Sequence, residues 1–345
     1  MLGERIRRSS PGDPSLATPP GSPSGSGLCV VHLVWAPLGP ERLSGFLEAY
    51  RRHDPGVPHR LLVVLNGFVP GERIEDWKRL LDAVEHEQLL LERPLLDLAA
   101  YRLAVDRIPA ERYCFMNSYA TPLADGWLNA LDSALAEPGV GISGATGSWA
   151  STRSWTTHVL RLPSAYRGVL PPSREAVPAF MAIEAERQEP APDLIPAAEP
   201  SKLRTRMQTL LEMPRQTLPF ERFPAYHVRT NAFMASRRIL QSLDRPAIDS
   251  KRDAYLLESG RNSLTRQVQR MGLRTLLVDR DGTSYKHEDW HLSRTFWQGD
   301  QEGLLIADNQ TRIYAEADAE RRRLLSRFAW GAKADPVAHG EGAGR

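Results

Sequence analysis

The chain has 345 residues, of which 41% are hydrophobic and 25% charged, the balance of an ordinary globular protein with a sizeable core. Its net charge of +2 gives no reason to expect nucleic acid or an anionic membrane as a partner. There are two cysteines, Cys29 and Cys114, both inside apolar runs and without metal or redox spacing, so both are expected as buried thiols of a reducing compartment.

Residues 1–27 are rich in Ser, Pro and Gly, with no apolar stretch of the kind a signal peptide carries. That segment is expected to be disordered, and the protein cytoplasmic. No run is long enough to span a bilayer, which leaves peripheral membrane contact open. Order is expected from LCVVHLVW (28–35), a continuous apolar run that suits a strand buried on both faces. A helix follows over 41–53, with Leu43, Phe46, Leu47 and Tyr50 on one face. HRLLVVLNGF (59–68) reads as a second buried strand, EDWKRLLDAVEH (75–86) as a helix and EQLLLER (87–93) as a third strand. Asp97 opens a helix over 98–108, for which it is the expected N-cap. YCFMN (113–117) is a fourth strand, 126–137 a helix, and VGISGATGS (140–148) follows.

Strand and helix alternate four times, the pattern of a parallel sheet with helices on both faces. Right-handed crossovers make such a sheet open and doubly wound, and its ligands bind beyond the carboxyl ends of the strands. That rule singles out Trp35 and Pro37, Asn66 and Asn117-Ser118-Tyr119 as candidate binding residues. Asn66-Gly67 is also a good turn by itself. From 160 to 222 prolines become frequent, with helices expected at 174–188 and 201–213, and the segment reads as an insertion or lid. RTNAFMASRRILQSL (229–243) reads as an apolar entry into a helix, 263–272 as a helix closed by Gly272, 273–279 as a strand, Asp281-Gly282 as a turn, and 315–331 as a helix. The tail, 332–345, is expected to be loose.

Three stretches carry a resemblance. YCFMNSYATPLADGW, YHVRTNAFMASRRIL and LLESGRNSLTRQVQRMGLRTLLVDRDG resemble, in this order, segments of the GT-A fold glycosyltransferases, in particular inverting family 2 enzymes. HVRTNAF, ESGRNSLT, TFWQGDQ and LLIADNQT also resemble a less characterised bacterial group linked to cell-surface polysaccharide assembly. The resemblance covers roughly 28–331 and implies one GT-A-like domain. Its parts would be a nucleotide-binding half (28–150), the 160–222 insertion and an acceptor half (223–331). It implies transfer of a sugar from a nucleotide-sugar donor to a glycan, lipid-linked or protein acceptor. One departure matters. The family's Asp-x-Asp metal turn falls on Asn117 and Tyr119; an amide coordinates a hard cation without bringing charge, and a neutral Tyr is a poor ligand. Mn2+ or Mg2+ dependence is therefore open, and action without metal is one of the two readings.

Inverting transfer needs a base, a means of stabilising the departing diphosphate, and alignment of the two substrates. The resemblance places the base on Glu258, read here as opening the helix that follows it. His227, Arg229, Asn231, Arg261 and Arg266 are candidate diphosphate or acceptor contacts, since Arg pairs with phosphate oxygens; the blander reading of 227–231 is a solvated loop capping a helix through Thr230 or Asn231. Asp97 is a candidate donor contact. His287 and Asp289 are weak metal candidates. Trp297 is a candidate sugar-stacking ring, although core packing is the commoner fate of Trp. Asp308-Asn309-Gln310-Thr311 reads as a turn with an Asx cap. Two other readings compete. One is a catalytically silent domain of this fold that binds nucleotide sugar or scaffolds a synthesis complex. The other is a sugar nucleotidyltransferase, disfavoured because APLGPERLSG has too few glycines to cradle a triphosphate.

Overall fold

The structure, a computed structural model, describes residues 6–7, 27–68, 74–151, 153 and 218–335. The expected helices at 174–188 and 201–213, and the tail beyond 335, lie outside them. Eight strands and nine helices are labelled here. They are β1 (Leu28–Trp35), α1 (Pro40–Arg52), β2 (Arg60–Asn66), α2 (Glu75–Leu81), β3 (Glu87–Leu90), α3 (Asp97–Arg107), β4 (Arg112–Met116), α4 (Trp127–Ala136), β5 (Val140–Gly144), β6 (Ala232–Ser236), α5 (Arg237–Ser242), α6 (Lys251–Ser259), α7 (Leu264–Arg270), β7 (Arg274–Val278), β8 (Ser284–Tyr285), α8 (Asn309–Glu316) and α9 (Ala319–Trp330).

The central sheet runs β3-β2-β1-β4-β6-β5-β7-β8, with Ile6–Arg7 added outside β3. β3, β2, β1 and β4 are mutually parallel, and β7 is parallel to β5. β6 runs antiparallel between β4 and β5. This is the α/β, mostly parallel, doubly wound architecture expected from the sequence.

Alternation within the apolar runs explains why both faces are covered. In β1, Cys29, Val31 and Leu33 join one core with Tyr101 and Ala104 of α3, Val268 of α7 and Trp330 of α9. Val30 and Val34 join the other, with Phe46 of α1, Trp77 of α2 and Trp127 and Leu131 of α4. A strand that is apolar on both faces, as β1 is apart from His32 stacked on Phe46, is satisfied between two layers. Cys29 and Cys114 are free and buried, and burial pushes the Cys29 thiol up to about 12.

Several boundaries differ from expectation. The helix expected over 75–86 stops at Leu81. The segment 229–243 contains a strand, β6, before its helix, and Ser236 caps α5. The helix expected over 315–331 is two, α8 and α9, separated where Asp318 caps the second. Ile6–Arg7, within the segment expected to be disordered, pairs with Gln88–Leu89. Residues 332–335 are also held: Gln298 bonds the Lys333 carbonyl and the Asp335 amide. Among the described residues, no helix is long and apolar enough to cross a membrane.

Candidate active site

The chain builds β1, β2 and β3 outward in one direction, then returns to lay β4 on the other side of β1. The crevice beyond the carboxyl ends of β1 and β4 is thus the switch point at which open α/β sheets bind ligands. Trp35 ends β1, and Asn117 directly follows β4. Because β6 is antiparallel, its first residue, Ala232, pairs with Met116. That register brings 227–231 to the same rim. The chain after β5 arrives there too, since the Ala145 amide donates to the Ala232 carbonyl at 3.1 Å.

Most of the candidates from the sequence converge on this rim. The Asn117 amide donates to the Asn231 carbonyl at 2.9 Å. The neighbouring Thr230 amide donates to Glu258 Oε1 at 3.0 Å. Glu258 lies beside Asp97, whose carboxyl is pushed up to about 6, first by burial and then by the Glu258 charge. Asp97 is placed by Asn66: that buried amide donates to the Leu95 carbonyl at 2.7 Å and accepts the Leu95 amide at 3.0 Å. Asn66 therefore acts through the backbone leading into α3. Gly67 has φ +79°, and a Cβ there would stand 2.6 Å from the Trp35 ring, so the turn after β2 needs glycine twice over. Trp35 is half-buried and Pro37 exposed at this edge.

Two positions differ from the sequence reading. Glu258 does not open a helix; it sits in the last turn of α6, and α7 starts later, capped by Ser263. Asp97 does not cap α3, since Leu96 occupies that position without a side-chain bond and Asp97 is the first residue of the helix.

The cationic candidates are differently employed. Arg229 is 6% exposed and ion-paired at 2.7 Å with Asp308, which is fully buried. Its guanidinium also lies 4.2 Å from the centre of the Phe296 ring and donates to Thr146 at 3.4 Å; Thr146 in turn donates to the Asn231 side chain at 2.8 Å. HVRTN is thus a buried, bonded segment leading into a strand. The solvated-loop reading fails because this turn is enclosed by β5 and α8. Asp308 accepts the Thr311 amide at 2.9 Å as N-cap of α8, so the Asx cap read from the sequence is present and also serves as counter-ion to Arg229. His227 is buried and bonds the Ala225 carbonyl at 2.7 Å. Arg261 is exposed and donates to the Phe220 carbonyl at 3.4 Å, and Arg266 pairs with Glu221. Trp297 is 2% exposed, stacked on Phe296 with its N–H on the Gln310 carbonyl. The core role is what its surroundings describe.

Residues 117–119 offer a divalent metal no carboxylate, only neutral oxygens. Asn117 Oδ1 already accepts the Tyr119 amide at 3.0 Å, closing an Asx turn. His287 packs its ring on Tyr226 and pairs with Glu288 at 3.2 Å, and Asp289 is exposed at the start of a short 3-10 turn. Among the described residues, no three His, Cys, Asp or Glu side chains gather to hold a metal ion.

Two arginines at this turn escaped the sequence reading. Arg42 places its guanidinium 5.2 Å from the centre of the Tyr119 ring. Arg312 donates to the Tyr119 carbonyl at 3.1 Å and to Thr121 Oγ1 at 2.7 Å. Ser118, in the same turn, is buried. A small apolar cleft of about 40 Å³ lies between α3, α5 and α6, lined by Leu98, Tyr101, Phe115, Phe233 and Leu257.

The Asp97 shift gives a direct expectation. Charging a carboxylate whose folded pKa is raised costs nothing below its unfolded value near 4 and its full penalty above about 6. Asp97→Asn removes that penalty. Its Tm is expected to exceed that of the parent by about 2–4 °C at pH 8 and to match it at pH 4. Thermal melts at the two pH values check this, and an equal offset at both would deny the shift.

No family model matches this sequence, and no curated protein matches it. Solved structures are similar at a distance. A mannosyltransferase from Pyrobaculum calidifontis in complex with GDP-Man and Mn2+ is 13% identical, over 79% of this chain and 61% of its own, with a TM-score of 0.42. Glucosyl-3-phosphoglycerate synthase from Mycobacterium tuberculosis, with Mn2+, UDP and phosphoglyceric acid, is 13% identical over 64% of this chain and 58% of its own, with a TM-score of 0.31. The chain spans about three fifths of the length of either. A likeness of this size assigns no activity.

Proposed function

We propose that this chain is a GT-A-like glycosyltransferase that moves a sugar, with inversion, from a nucleotide-sugar donor to a hydroxyl of a glycan, lipid-linked or protein acceptor. One observation carries the reading. The Glu258 carboxylate is held by the Thr230 amide, beside Asp97, at the switch point of a doubly wound sheet. The sequence resemblance through YCFMNSYATPLADGW and LLESGRNSLT points to the same place.

In this reading Glu258 takes the proton of the acceptor hydroxyl. The freed oxygen pair forms a bond to the anomeric carbon on the face opposite the diphosphate. The bond from that carbon to the phosphate oxygen breaks, its electrons stay on that oxygen, and the nucleoside diphosphate leaves. The Thr230 amide keeps the carboxylate oriented, which lowers the cost of alignment. Asp97, half-buried and next to it, is the second carboxyl at the rim and would face the donor. Asn66 fixes the backbone from which Asp97 projects.

A second reading has its own support: Asn117 spends its oxygen on a turn, as expected of a domain that binds nucleotide sugar without turning it over. Calorimetry with a panel of nucleotide sugars, each with EDTA and with Mn2+, followed by a transfer or donor-hydrolysis assay on any that bind, separates the readings. Binding with turnover is the expected result. Binding without turnover over a broad acceptor panel favours the silent domain, and no binding in either condition removes both.

A further inference from the structure

Resting on that reading, we propose that Arg42 and Arg312 form the site for the donor's diphosphate and carry its charge as it leaves, in the place where a divalent metal would otherwise stand.

The two residues come from opposite ends of the chain, and only the fold joins them. Arg42 lies in the first turn of α1, which begins just beyond β1. Arg312 lies in the first turn of α8, whose cap Asp308 is anchored at the rim by Arg229. The Tyr119 segment is their meeting point, with its ring under Arg42 and its carbonyl on Arg312. A strand-like pairing of Thr121–Pro122 with Ile306–Ala307 locks the turn to the start of α8, so the arrangement is rigid on both sides.

Local electrostatics opposes this arrangement. The amino end of a helix is its positive end, and cations are disfavoured there. Here two cations occupy such positions, and both touch Tyr119. Among the described residues, no ion pair joins either guanidinium to a carboxylate. The acid nearest Arg312 in charge terms, Asp308, is already committed to Arg229. Burial pulls the Arg312 pKa below the usual arginine value; Asp308 and Glu316 oppose this and Arg42 adds to it. Two guanidiniums gathered on one tyrosine, with no carboxylate bonded to either among the described residues, mark a place where an anion can bind. A guanidinium has five N–H donors. The bonds to Tyr119 and Thr121 take one from each terminal nitrogen of Arg312 and fix its plane, leaving the others for a ligand. Arg42, exposed and stacked on a ring, supplies a second planar donor set. Paired forks of this kind suit the several oxygens of a diphosphate.

The placement also matches the chemistry. Asn117 ties the turn to Asn231, next to the residue that holds Glu258. Tyr119 ties it to the arginines. The base and the cations are thus both tied to the one turn, where a displacement needs a proton acceptor and a stabiliser of the departing charge.

Titration of UDP and GDP in EDTA tests this, with uridine and guanosine as controls lacking the diphosphate. The full chain should bind one of the diphosphates in EDTA, more weakly as salt rises. Arg42→Ala, at an exposed position, should lose about 10- to 100-fold in affinity, and Arg312→Lys, which keeps the charge but not the fork, about 10-fold, while binding of the matching nucleoside stays unchanged. Equal diphosphate affinity in parent and Arg42→Ala would overturn the assignment and leave the transferase reading standing. Binding that needs Mn2+ would also overturn it. No binding of either diphosphate with or without Mn2+ would overturn the transferase reading, and this assignment with it.

Discussion

Arg229→Ala is expected to cost about 3–5 kcal/mol of stability, the penalty for leaving a buried charge without its partner. The partner is Asp308, fully buried and 2.7 Å away, and it would be left facing Phe296 and the start of α8. A loss of that size should lower Tm by roughly 10 °C. Asp308→Asn tests the same pair from the other side. Asparagine still caps α8, since Asn and Asp are equally good caps, so any large loss comes from the stranded Arg229 charge. The double variant Arg229→Met with Asp308→Asn removes both charges and keeps the bulk. Its loss should be smaller than the sum of the losses of Arg229→Met and Asp308→Asn taken singly, by a coupling of about 1–3 kcal/mol in a double-mutant cycle. Additive losses would mean the two side chains are not energetically paired. The experiment also decides between two roles for Arg229. A diphosphate ligand would show a loss of nucleotide affinity in Arg229→Ala at temperatures where the variant is folded. A residue that positions 227–231 and α8 would show its main loss in Tm.

Strands β1, β2 and β4 are readable because strands buried on both faces are apolar at nearly every position, a signal contained within the run itself. β6 was not readable as a strand. Its five residues, Ala232 to Ser236, run straight into Arg237-Arg238-Ile239-Leu240, and their strand state depends on pairing with Met116 on one side and Gly144 on the other. The burial of Arg229 depends on Asp308, for which no local pattern exists. The resemblance points to Glu258 as a candidate base but sets it at the start of a helix, where the structure has the end of the preceding one. LLESGRNSL is compatible with the end of one helix or the start of the next, and Ser263, which caps α7, fixes which. Arg42 and Arg312 have no motif at all. Each reads locally as a surface cation on a helix, and only the closure of β4, α1 and α8 on the same turn gives them a common purpose.

Glu258→Gln is expected to reduce turnover by about 10²- to 10⁴-fold, the usual worth of a general base, while donor affinity stays within about twofold. The substitution is nearly isosteric, and a glutamine carbonyl can still accept the Thr230 amide, so the local geometry is retained. Stability gives an independent readout. Glu258 lies in the last turn of α6, at the helix's negative end, where a carboxylate costs about 0.3–1 kcal/mol. It also faces Asp97, whose charging it opposes. A structural residue at this position would be better as glutamine, so Glu258→Gln should leave Tm unchanged or raise it slightly while activity collapses. Gain of stability with loss of turnover is the signature of a group retained for chemistry. The pH profile sharpens the point. Removing the Glu258 charge takes away the second cause of the Asp97 shift, so the Asp97 titration should move down from about 6 toward the ordinary carboxylate range, visible in the pH dependence of donor binding. Unchanged turnover in Glu258→Gln would remove it as the base. Asp97, the other carboxyl at the rim, would then be the group to replace.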